Sequence, residues 1–536
     1  MMKRSPTPAE PHRWVKSICL SPPSLGDNTA DADRLAAALN KAFGTTDFQI
    51  SLEQTRALSG QLRAWNWKVR AVCFKSDPRT GILVHLAGPE NADRLCGLAV
   101  DLGSTRVVLR LVDLETGTTV GERVFDNPQI AIGPDILTRI HHADTEGGLS
   151  RLHRLIIDGI NTELSGLCQD CGVLQDTLHL AAISGNTAMT HLLLGITPHW
   201  MIREPYIPAL NQPGLFTAAE LGLFLSASAQ VMVFPNVGSY FGGDLISGIL
   251  YADLDQREEV AMIVDVGTNA EVVLGNRDWM IACAGAAGPA LEGGVTRMGT
   301  TAGPGVIDRV AIDPDTLAVD LHTIEDKPPR GICGSGVIDL AAALFLSGMV
   351  DIRGKLRPER CKDRFFVDNG VPHLILAPAA VSATGTDLSV SQADLDSLIR
   401  SKAAMYTILE TLAASAGMRP EEIATFFVAG TFGAYIDPRS AIAIGMLPDL
   451  PLSRYQSLGN SSLGGATRVL TEADCLDRVK PIRDSITYLE LNVNQDFMNR
   501  FSAAKFLPHT DRSRFPSVPF PPDDTGNGFS GGSTAT

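Results

Sequence analysis

The stretch GLAVDLGSTRVVLRLVDLETG, residues 97–117, contains two apolar runs joined by a short segment of small and polar residues. Apolar runs separated by glycine and small polar residues predict a β-hairpin. Asp101 falls at the end of the first run, just before the turn. Because an unpaired carboxylate is costly to bury, we expect this aspartate to serve a ligand rather than the packing of the hairpin.

The same pattern occurs a second time in AMIVDVGTNAEVVLGNRDWMIA, residues 261–282. Here Asp265 ends an apolar run, and Gly267 and Thr268 follow it in the turn. Aspartate and glycine also occur in ordinary hairpin turns. Two matching copies at a domain-sized interval favour instead two related halves, each with a functional turn.

Composition and charge limit the classes of protein that this chain can be. The 536 residues exceed what a single core holds, so several domains are expected. The formal net charge of −15, without a basic block, argues against a nucleic-acid partner. No secretory segment and no apolar run of membrane-spanning length is evident, and the odd count of nine cysteines favours reduced thiols. A cytoplasmic protein without a membrane partner is therefore expected.

Glycine-containing turns at strand ends are suited to phosphate binding, because backbone N–H groups can approach an anion where no side chain intervenes. An aspartate at such a turn suits Mg²⁺, which combines one or two carboxylates with phosphate oxygens. Three further stretches have related patterns. They are LAAISGNTAMTHLLLG (180–195), GGDLISGILYADL (242–254), which carries Asp244, and FFVAGTFGAYID (426–437).

Taken in order, these elements resemble the superfamily of acetate and sugar kinases, heat-shock chaperones and actin. That resemblance implies an α/β fold of two ribonuclease-H-like lobes that bind ATP and Mg²⁺ between them. Asp101 and Asp265 would hold Mg²⁺ through water, and Asp244 would join them as a catalytic carboxylate. The nucleotide-binding residues that the resemblance implies are Asp101, Gly103, Ser104, Thr105, Gly185, Asn186, Asp265, Gly267, Thr268, Asn269, Gly430, Thr431 and Gly433.

A narrower resemblance rests on GPALEGG (288–294), GICGSGVIDL (331–340) and LELNVNQDFMNRFSAAKFLPHTDRSRFPSV (489–518). These stretches, with PPSLGDNTADADRLAAAL (22–39), are similar to the reductive activators of corrinoid proteins. The resemblance covers about residues 13–518. It implies an ATPase that drives the reduction of cob(II)alamin to cob(I)alamin on a corrinoid protein of a methyl-transfer system.

Composition, helix and strand patterns and the resemblance together predict the following organisation. Residues 1–12 are a disordered N-terminus, 13–96 a small α+β linker and dimerisation module, 97–260 the first lobe, 261–510 the second lobe, and 511–536 a disordered tail. The implied assembly is a homodimer formed through the front module.

Typical activators carry an iron–sulfur module with four clustered cysteines, and this sequence departs from that pattern. Its close pair is Cys168 and Cys171, whereas a common cluster needs four ligands. A cluster shared across a dimer remains the alternative for this pair. We therefore expect no iron–sulfur cluster in this chain and a separate ferredoxin-like protein as electron donor.

Two other functions are compatible with the same pattern of turns. A small-molecule kinase acting on a sugar or carboxylate would use Asp244 as the base beside its acceptor pocket. A nucleotide-gated binding or chaperone-like module would bind a partner without redox chemistry.

Overall fold

The computed structural model describes residues 13–75, 77–90, 93–267, 270–285, 296–433, 435–489, 491 and 495–520. Contacts divide them into two compact units. Unit 1 holds the described residues up to Asp253 together with Ser461–Ser485. Unit 2 holds the described residues of Leu254–Asn460 and those from Ile486 onward.

Unit 1 begins with a small module of two helices and four strands. Its elements are β1 (Val15–Cys19), α1 (Asp31–Phe43), β2 (Asp47–Gln49), α2 (Leu52–Ala64), β3 (Lys68–Lys75) and β4 (Thr80–Ala87). They form a four-stranded sheet in the order β1-β3-β4-β2. Helix α1 buries one apolar side, including Leu35 and Leu39, and ends at Gly44 in the left-handed conformation that glycine favours.

The rest of unit 1 is built on a six-stranded mixed sheet. Its elements up to Tyr251 are β5 (Cys96–Leu102), β6 (Arg106–Asp113), β7 (Thr119–Asp126), α3 (Ile136–Ala143), α4 (Gly148–Cys171), β8 (Leu178–Gly185), α5 (Thr187–Leu194), β9 (Gly214–Thr217), α6 (Ala218–Leu221), β10 (Gln230–Val233) and α7 (Gly243–Tyr251). The strand order is β7-β6-β5-β8-β10-β9. Strands β5, β6 and β7 are antiparallel neighbours, whereas β8 runs parallel to β5 and β10 parallel to β8.

Unit 2 repeats this arrangement. Its elements up to Gly459 are β11 (Ala261–Val266), β12 (Ala270–Gly275), β13 (Met280–Gly285), β14 (Val306–Ile312), β15 (Val319–Thr323), β16 (Gly331–Ile332), α8 (Gly334–Leu346), α9 (Pro358–Cys361), β17 (Phe365–Asp368), β18 (Val371–Ala377), β19 (Leu388–Ser391), α10 (Gln392–Ser415), β20 (Thr425–Ala429), α11 (Gly430–Gly433), α12 (Pro438–Ala443) and β21 (Tyr455–Gly459).

The chain then returns to unit 1 before it ends in unit 2. The last elements are α13 (Ser461–Thr471), α14 (Asp474–Ser485), β22 (Ile486–Tyr488) and α15 (Gln495–Ala504). The main sheet of unit 2 has the order β21-β20-β11-β12-β13-β22. Its run β13-β12-β11-β20-β21 has the same antiparallel and parallel pairings as β7-β6-β5-β8-β10 of unit 1. The two hairpins that repeat in the sequence therefore begin two sheets that share a five-stranded run of the same topology, whereas the sixth strand, β9 or β22, lies at opposite edges.

Helix α13 packs within unit 1 through small residues. A Cβ at Gly465 would lie 2.1 Å from the Ser247 carbonyl oxygen of α7, and one at Gly464 would meet the Tyr251 ring. Trp14 of the front module donates from Nε1 to the Val469 carbonyl of α13 at 2.6 Å. The sequence placed residues 461–485 in the second lobe, but these close contacts place them in unit 1.

The end of the described chain packs onto unit 2. Phe515 is 1% exposed and Val518 is 7% exposed within the hydrophobic core. Ser517 donates from N and Oγ to the Asp449 carboxylate. The sequence placed residues 511–536 in a disordered tail, whereas residues 511–520 are ordered because these buried side chains hold them.

The helices of both units cover the sheets and bury apolar residues against them. Within the described parts of the chain, no helix is both long enough and apolar enough to span a bilayer.

Candidate functional site

The first candidate turn joins β5 to β6. Asp101 is the penultimate residue of β5, and Gly103, Ser104 and Thr105 form the turn. A Cβ at Gly103 would lie 2.3 Å from the Arg106 carbonyl oxygen, so this tight turn excludes a larger residue. Ser104 is partly exposed and Thr105 is exposed.

Buried Asn127, which follows the hairpin in the chain, holds that turn through hydrogen bonds. Its Nδ2 donates to the Gly103 carbonyl at 2.9 Å, and its backbone N–H donates to the Thr105 carbonyl at 2.8 Å. Asn127 is 1% exposed. The sequence analysis missed this residue, because nothing near it in the chain marks a side chain that supports a distant turn.

The turn after β8 lies beside the first one. Strands β5 and β8 are parallel and in register, so Asp101 is paired with Ser184 and Leu102 with Gly185. A Cβ at Gly185 would lie 2.8 Å from the Leu102 carbonyl oxygen. The Asn186 side chain accepts a hydrogen bond from the Met189 N–H at 2.9 Å and so caps α5.

Asp244, at the start of α7, reaches the same edge of the sheet. A Cβ at Gly242 would lie 2.4 Å from the Asn186 Cα and 2.6 Å from Asp244 Oδ1, so glycine allows these segments to meet. Burial raises the pKa of Asp244 to about 7, and the charge of Asp101 adds to this shift. The hydrogen bond that Oδ1 accepts from the Leu245 N–H opposes it. Unit 1 therefore brings together two carboxylates that differ in their surroundings.

The Asp101 carboxylate also accepts a hydrogen bond from Ser462 of α13, with 2.7 Å between Oγ and Oδ1. Ser462 is 361 positions away in sequence. The analysis of the sequence did not identify it. The stretch NSSLGGATRVL (460–470) carries a local hint, because its run of small residues suits close helix packing.

The second repeated turn, in unit 2, is described in part. Asp265 is the penultimate residue of β11 and pairs with Ala429 of the parallel strand β20. Gly430, the residue after Ala429, therefore lies beside Asp265. It has φ of +83°, and a Cβ there would lie 2.7 Å from Asp265 Oδ1. The structure thus joins two motifs that lie far apart in the sequence.

Some of the predicted site residues are described only in part, and others lie outside the described residues. Thr268 and Asn269 lie outside the described residues, as does the stretch 288–294. Gly267 is partly buried at the end of β11. Thr431 lies in α11 with its side chain outside the description, and a Cβ at Gly433 would meet Val428 Cγ1 at 2.5 Å. Their roles in nucleotide binding stay predictions.

The donor atoms of unit 1 fit the magnesium nucleotide that the fold implies. Carboxylate oxygens are hard ligands, and Mg²⁺ takes one or two of them together with phosphate oxygens and water. Within the described residues, no group of three or more His, Cys, Asp or Glu side chains is arranged to hold a metal ion by itself. Asp101 therefore suits an ion that also binds the nucleotide.

The cysteine pair lies away from these turns, at the end of α4. Cys168 is buried, and Cys171 is partly exposed with its Sγ against Val120 and Gly121 of β7. Burial raises the pKa of the Cys168 thiol to about 11, and that of the Cys96 thiol to about 12. Both thiols are therefore protonated at neutral pH.

Two sheets of the same topology, each with an aspartate at the end of its first strand, define the actin-like ATPase class of fold. Three family domains match the chain. Residues 3–91 match the RACo linker region, residues 96–257 the RACo middle region, and residues 259–519 the C-terminal domain of RACo, described as the ASKHA domain.

A solved structure described as a reductive activator for corrinoid, iron-sulfur protein is 36% identical, with a TM-score of 0.84. The match covers 96% of this chain and 82% of that one. This chain belongs to the family of reductive activators of corrinoid proteins, which confirms the predicted family and fold class.

Two relatives have names that describe related activities. The corrinoid activation enzyme RamQ of Eubacterium limosum is 28% identical over 429 residues, which are 78% of this chain and 72% of that protein. The [Co(II) methylated amine-specific corrinoid protein] reductase of Methanosarcina barkeri is 26% identical over 447 residues, 75% of each chain.

Proposed function

We propose that this protein is an ATP-dependent reductive activator that returns cob(II)alamin on a partner corrinoid protein to cob(I)alamin. The observation that carries the proposal is the match to a reductive activator over 96% of the chain. The names of the two relatives agree with it. The kinase and chaperone-like alternatives are not favoured, because family membership extends through the linker and middle regions as well as the ATPase-like domain.

The nucleotide chemistry is assigned to the carboxylates and turns described above. Bound Mg²⁺ would neutralise charge on the phosphates. Asp101 and Asp265 are proposed to orient the ion through water, and the remaining predicted turn residues to contact the nucleotide. Asp244 is proposed to accept a proton from the attacking water at Oδ2, since its Oδ1 is engaged by the Leu245 N–H. A carboxyl group with a pKa of about 7 is suited to that exchange near neutral pH.

Coupling to reduction requires that the nucleotide change how the partner is bound. A ligand shifts an equilibrium only by its difference in affinity for the two states. For a one-electron couple, a tenfold difference corresponds to about 59 mV. A modest preference for the cob(I)alamin form of the partner would therefore favour reduction measurably.

The electron is proposed to come from a separate ferredoxin-like protein. This assignment is supported by the departure of the sequence from the four-cysteine pattern, because the close pair Cys168 and Cys171 offers two ligands where a common cluster needs four. Reduced thiols also support a location in the cytoplasm. A homodimer formed through the front module is proposed from the family resemblance, and light scattering of the purified protein would measure it.

The test is anaerobic reduction of a partner corrinoid protein in the cob(II)alamin state. The protein, Mg-ATP and a strong one-electron donor are expected to produce the cob(I)alamin absorption band, and omission of ATP should abolish it. Asp265→Ala should lose both nucleotide binding and reduction. An absorption band that forms equally without ATP would contradict the proposed function, and unchanged ATP affinity in Asp265→Ala would contradict the assigned turn.

A further inference from the structure

Three buried serine hydroxyls connect Asp101 with the start of α7. Ser462 Oγ lies 2.7 Å from Asp101 Oδ1 and 3.0 Å from Ser184 Oγ. Ser184 Oγ lies 2.8 Å from Ser247 Oγ, which in turn lies 2.8 Å from the Asp244 carbonyl oxygen. The serines come from a strand and two helices, and they are at most 6% exposed.

The number of protons decides how this chain of hydroxyls is ordered. Four contacts share three hydroxyl protons, so one contact cannot be a hydrogen bond. An ionised Asp101 can only accept, so Ser462 must donate to it. Ser184 can then satisfy Ser462 by donating to it, and Ser247 can donate to Ser184. In this order all the hydroxyl protons point toward Asp101. Ser247 can instead donate to the Asp244 carbonyl oxygen, and the contact between Ser184 and Ser247 is then the one left without a proton.

We propose that Ser462 is the positioning residue that holds the Asp101 carboxylate for the magnesium nucleotide, and that Ser184 and Ser247 orient its hydroxyl. The inference rests on the proposed nucleotide function and adds a residue from helix α13 to it. Hydrogen bonds to charged groups are stronger than neutral ones, and buried chains of them reinforce one another. An aspartate held in this way keeps one orientation when the ion arrives.

Helix α13 is well placed to provide a fixed donor. Arg468 donates to the Leu250 carbonyl and to Asp253, both at 2.7 Å. Together with the close approach of Gly465 to Ser247, these bonds hold α13 against α7. The position of the Ser462 hydroxyl is therefore set by the packing of two helices rather than by a loop.

The experiment compares Ser462→Ala with Ser461→Ala in the full-length protein. Ser461 is the adjacent residue on the same helix, it is 1% exposed, and among the described residues its Oγ has no hydrogen-bond partner. Affinity for a fluorescent ATP analogue is measured with Mg²⁺ and with a chelator. Ser462→Ala is expected to lose about tenfold in affinity with Mg²⁺ and little without it, and Ser462→Thr should restore affinity. Ser461→Ala should stay within about twofold of the parent.

Ser184→Ala provides a second measurement if Ser462→Ala does not fold, as judged by its melting temperature. It removes the donor to Ser462 and is expected to weaken Mg-dependent affinity by about threefold. Equal affinities for Ser462→Ala and Ser461→Ala, an equal loss with and without Mg²⁺, or an unchanged affinity for Ser184→Ala would overturn the proposal. If the parent protein itself shows no Mg-dependent binding, the proposed function fails and this inference fails with it; if the parent binds, only the role of Ser462 is judged.

Discussion

Gly430 approaches Asp265 so closely that a Cβ at residue 430 would lie 2.7 Å from the carboxylate oxygen Oδ1. It would also lie 3.0 Å from the Val266 carbonyl oxygen, and the backbone at this position has φ of +83°. Glycine is thus needed twice here, for its conformation and for the space beside the aspartate.

Gly430→Ala is therefore expected to destabilise unit 2 by about 1–3 kcal/mol and to weaken Mg-ATP binding, because Asp265 must move. Gly459→Ala is the matched control on the neighbouring strand. Gly459 also has positive φ, but a Cβ there meets nothing within 4 Å. Melting temperature and nucleotide titration separate the two effects. If both variants lowered nucleotide affinity equally, the contact with Asp265 would not be the cause.

Asp244→Asn is expected to abolish most ATP hydrolysis while nucleotide binding remains. Asparagine has the same shape and retains an acceptor for the Leu245 N–H, but it cannot take up a proton. Loss of a general base lowers turnover by about 10²–10⁴-fold. Phosphate release and nucleotide titration on the same sample measure the two properties. Hydrolysis at the parental rate would exclude Asp244 as the base.

The same variant should change how the stability of the nucleotide-free protein depends on pH. The pKa of Asp244 is raised from 3.8 to about 7, so between these values the folded protein binds more protons than the unfolded chain. Its stability therefore falls as the pH rises through this window. Asp244→Asn should lack that fall. Urea unfolding at several pH values between 3.8 and about 7 provides the comparison.

Lys402 is expected to have the opposite dependence on pH in unit 2. Its side chain is fully buried, and Nζ donates to the Phe506 and Pro508 carbonyls at 2.5 and 2.7 Å. Burial lowers the pKa of Lys402 well below its usual value of 10.5. Between the lowered pKa and 10.5 the unfolded chain binds more protons, so stability rises with pH.

Lys402→Met should remove this rise, which amounts to about 1.4 kcal/mol per pH unit at most. The lost hydrogen bonds lower the stability of the variant at every pH, so the informative quantity is the slope. Urea unfolding in alkaline buffers measures it. Parallel curves for the parent and the variant would show that Lys402 is not held neutral.

Phe515→Ala tests whether the end of the described chain belongs to the core. Phe515 is 1% exposed, and its ring lies 5.4 Å from that of Tyr406. Removing a buried phenylalanine side chain is expected to cost about 3–5 kcal/mol. Val367→Ala, at a residue that is 57% exposed, should cost no more than about 0.5 kcal/mol. Similar unfolding midpoints for the two variants would show that the segment contributes little.

Much of the fold follows from local pattern. The hairpins at 97–117 and 261–282 are predictable because strand alternation and turn residues lie within about twenty positions of one another. Their duplication predicts two sheets of one topology, which the structure has. Composition is less informative for residues 511–520. Few apolar residues occur there, but Phe515 and Val518 are enough to anchor the segment once a core exists to receive them.

In the candidate site, too, some features follow from the sequence and others only from the tertiary structure. The sequence by itself places Asp101 and Asp265 at strand ends, because each terminates a short apolar run that is followed by turn residues and so predicts a strand. Tertiary structure alone brings Ser462 to Asp101, sets Gly430 against Asp265 and raises the pKa of Asp244. Hydrogen bonding and desolvation depend on which distant segments surround a group, and no local pattern of residues specifies those neighbours.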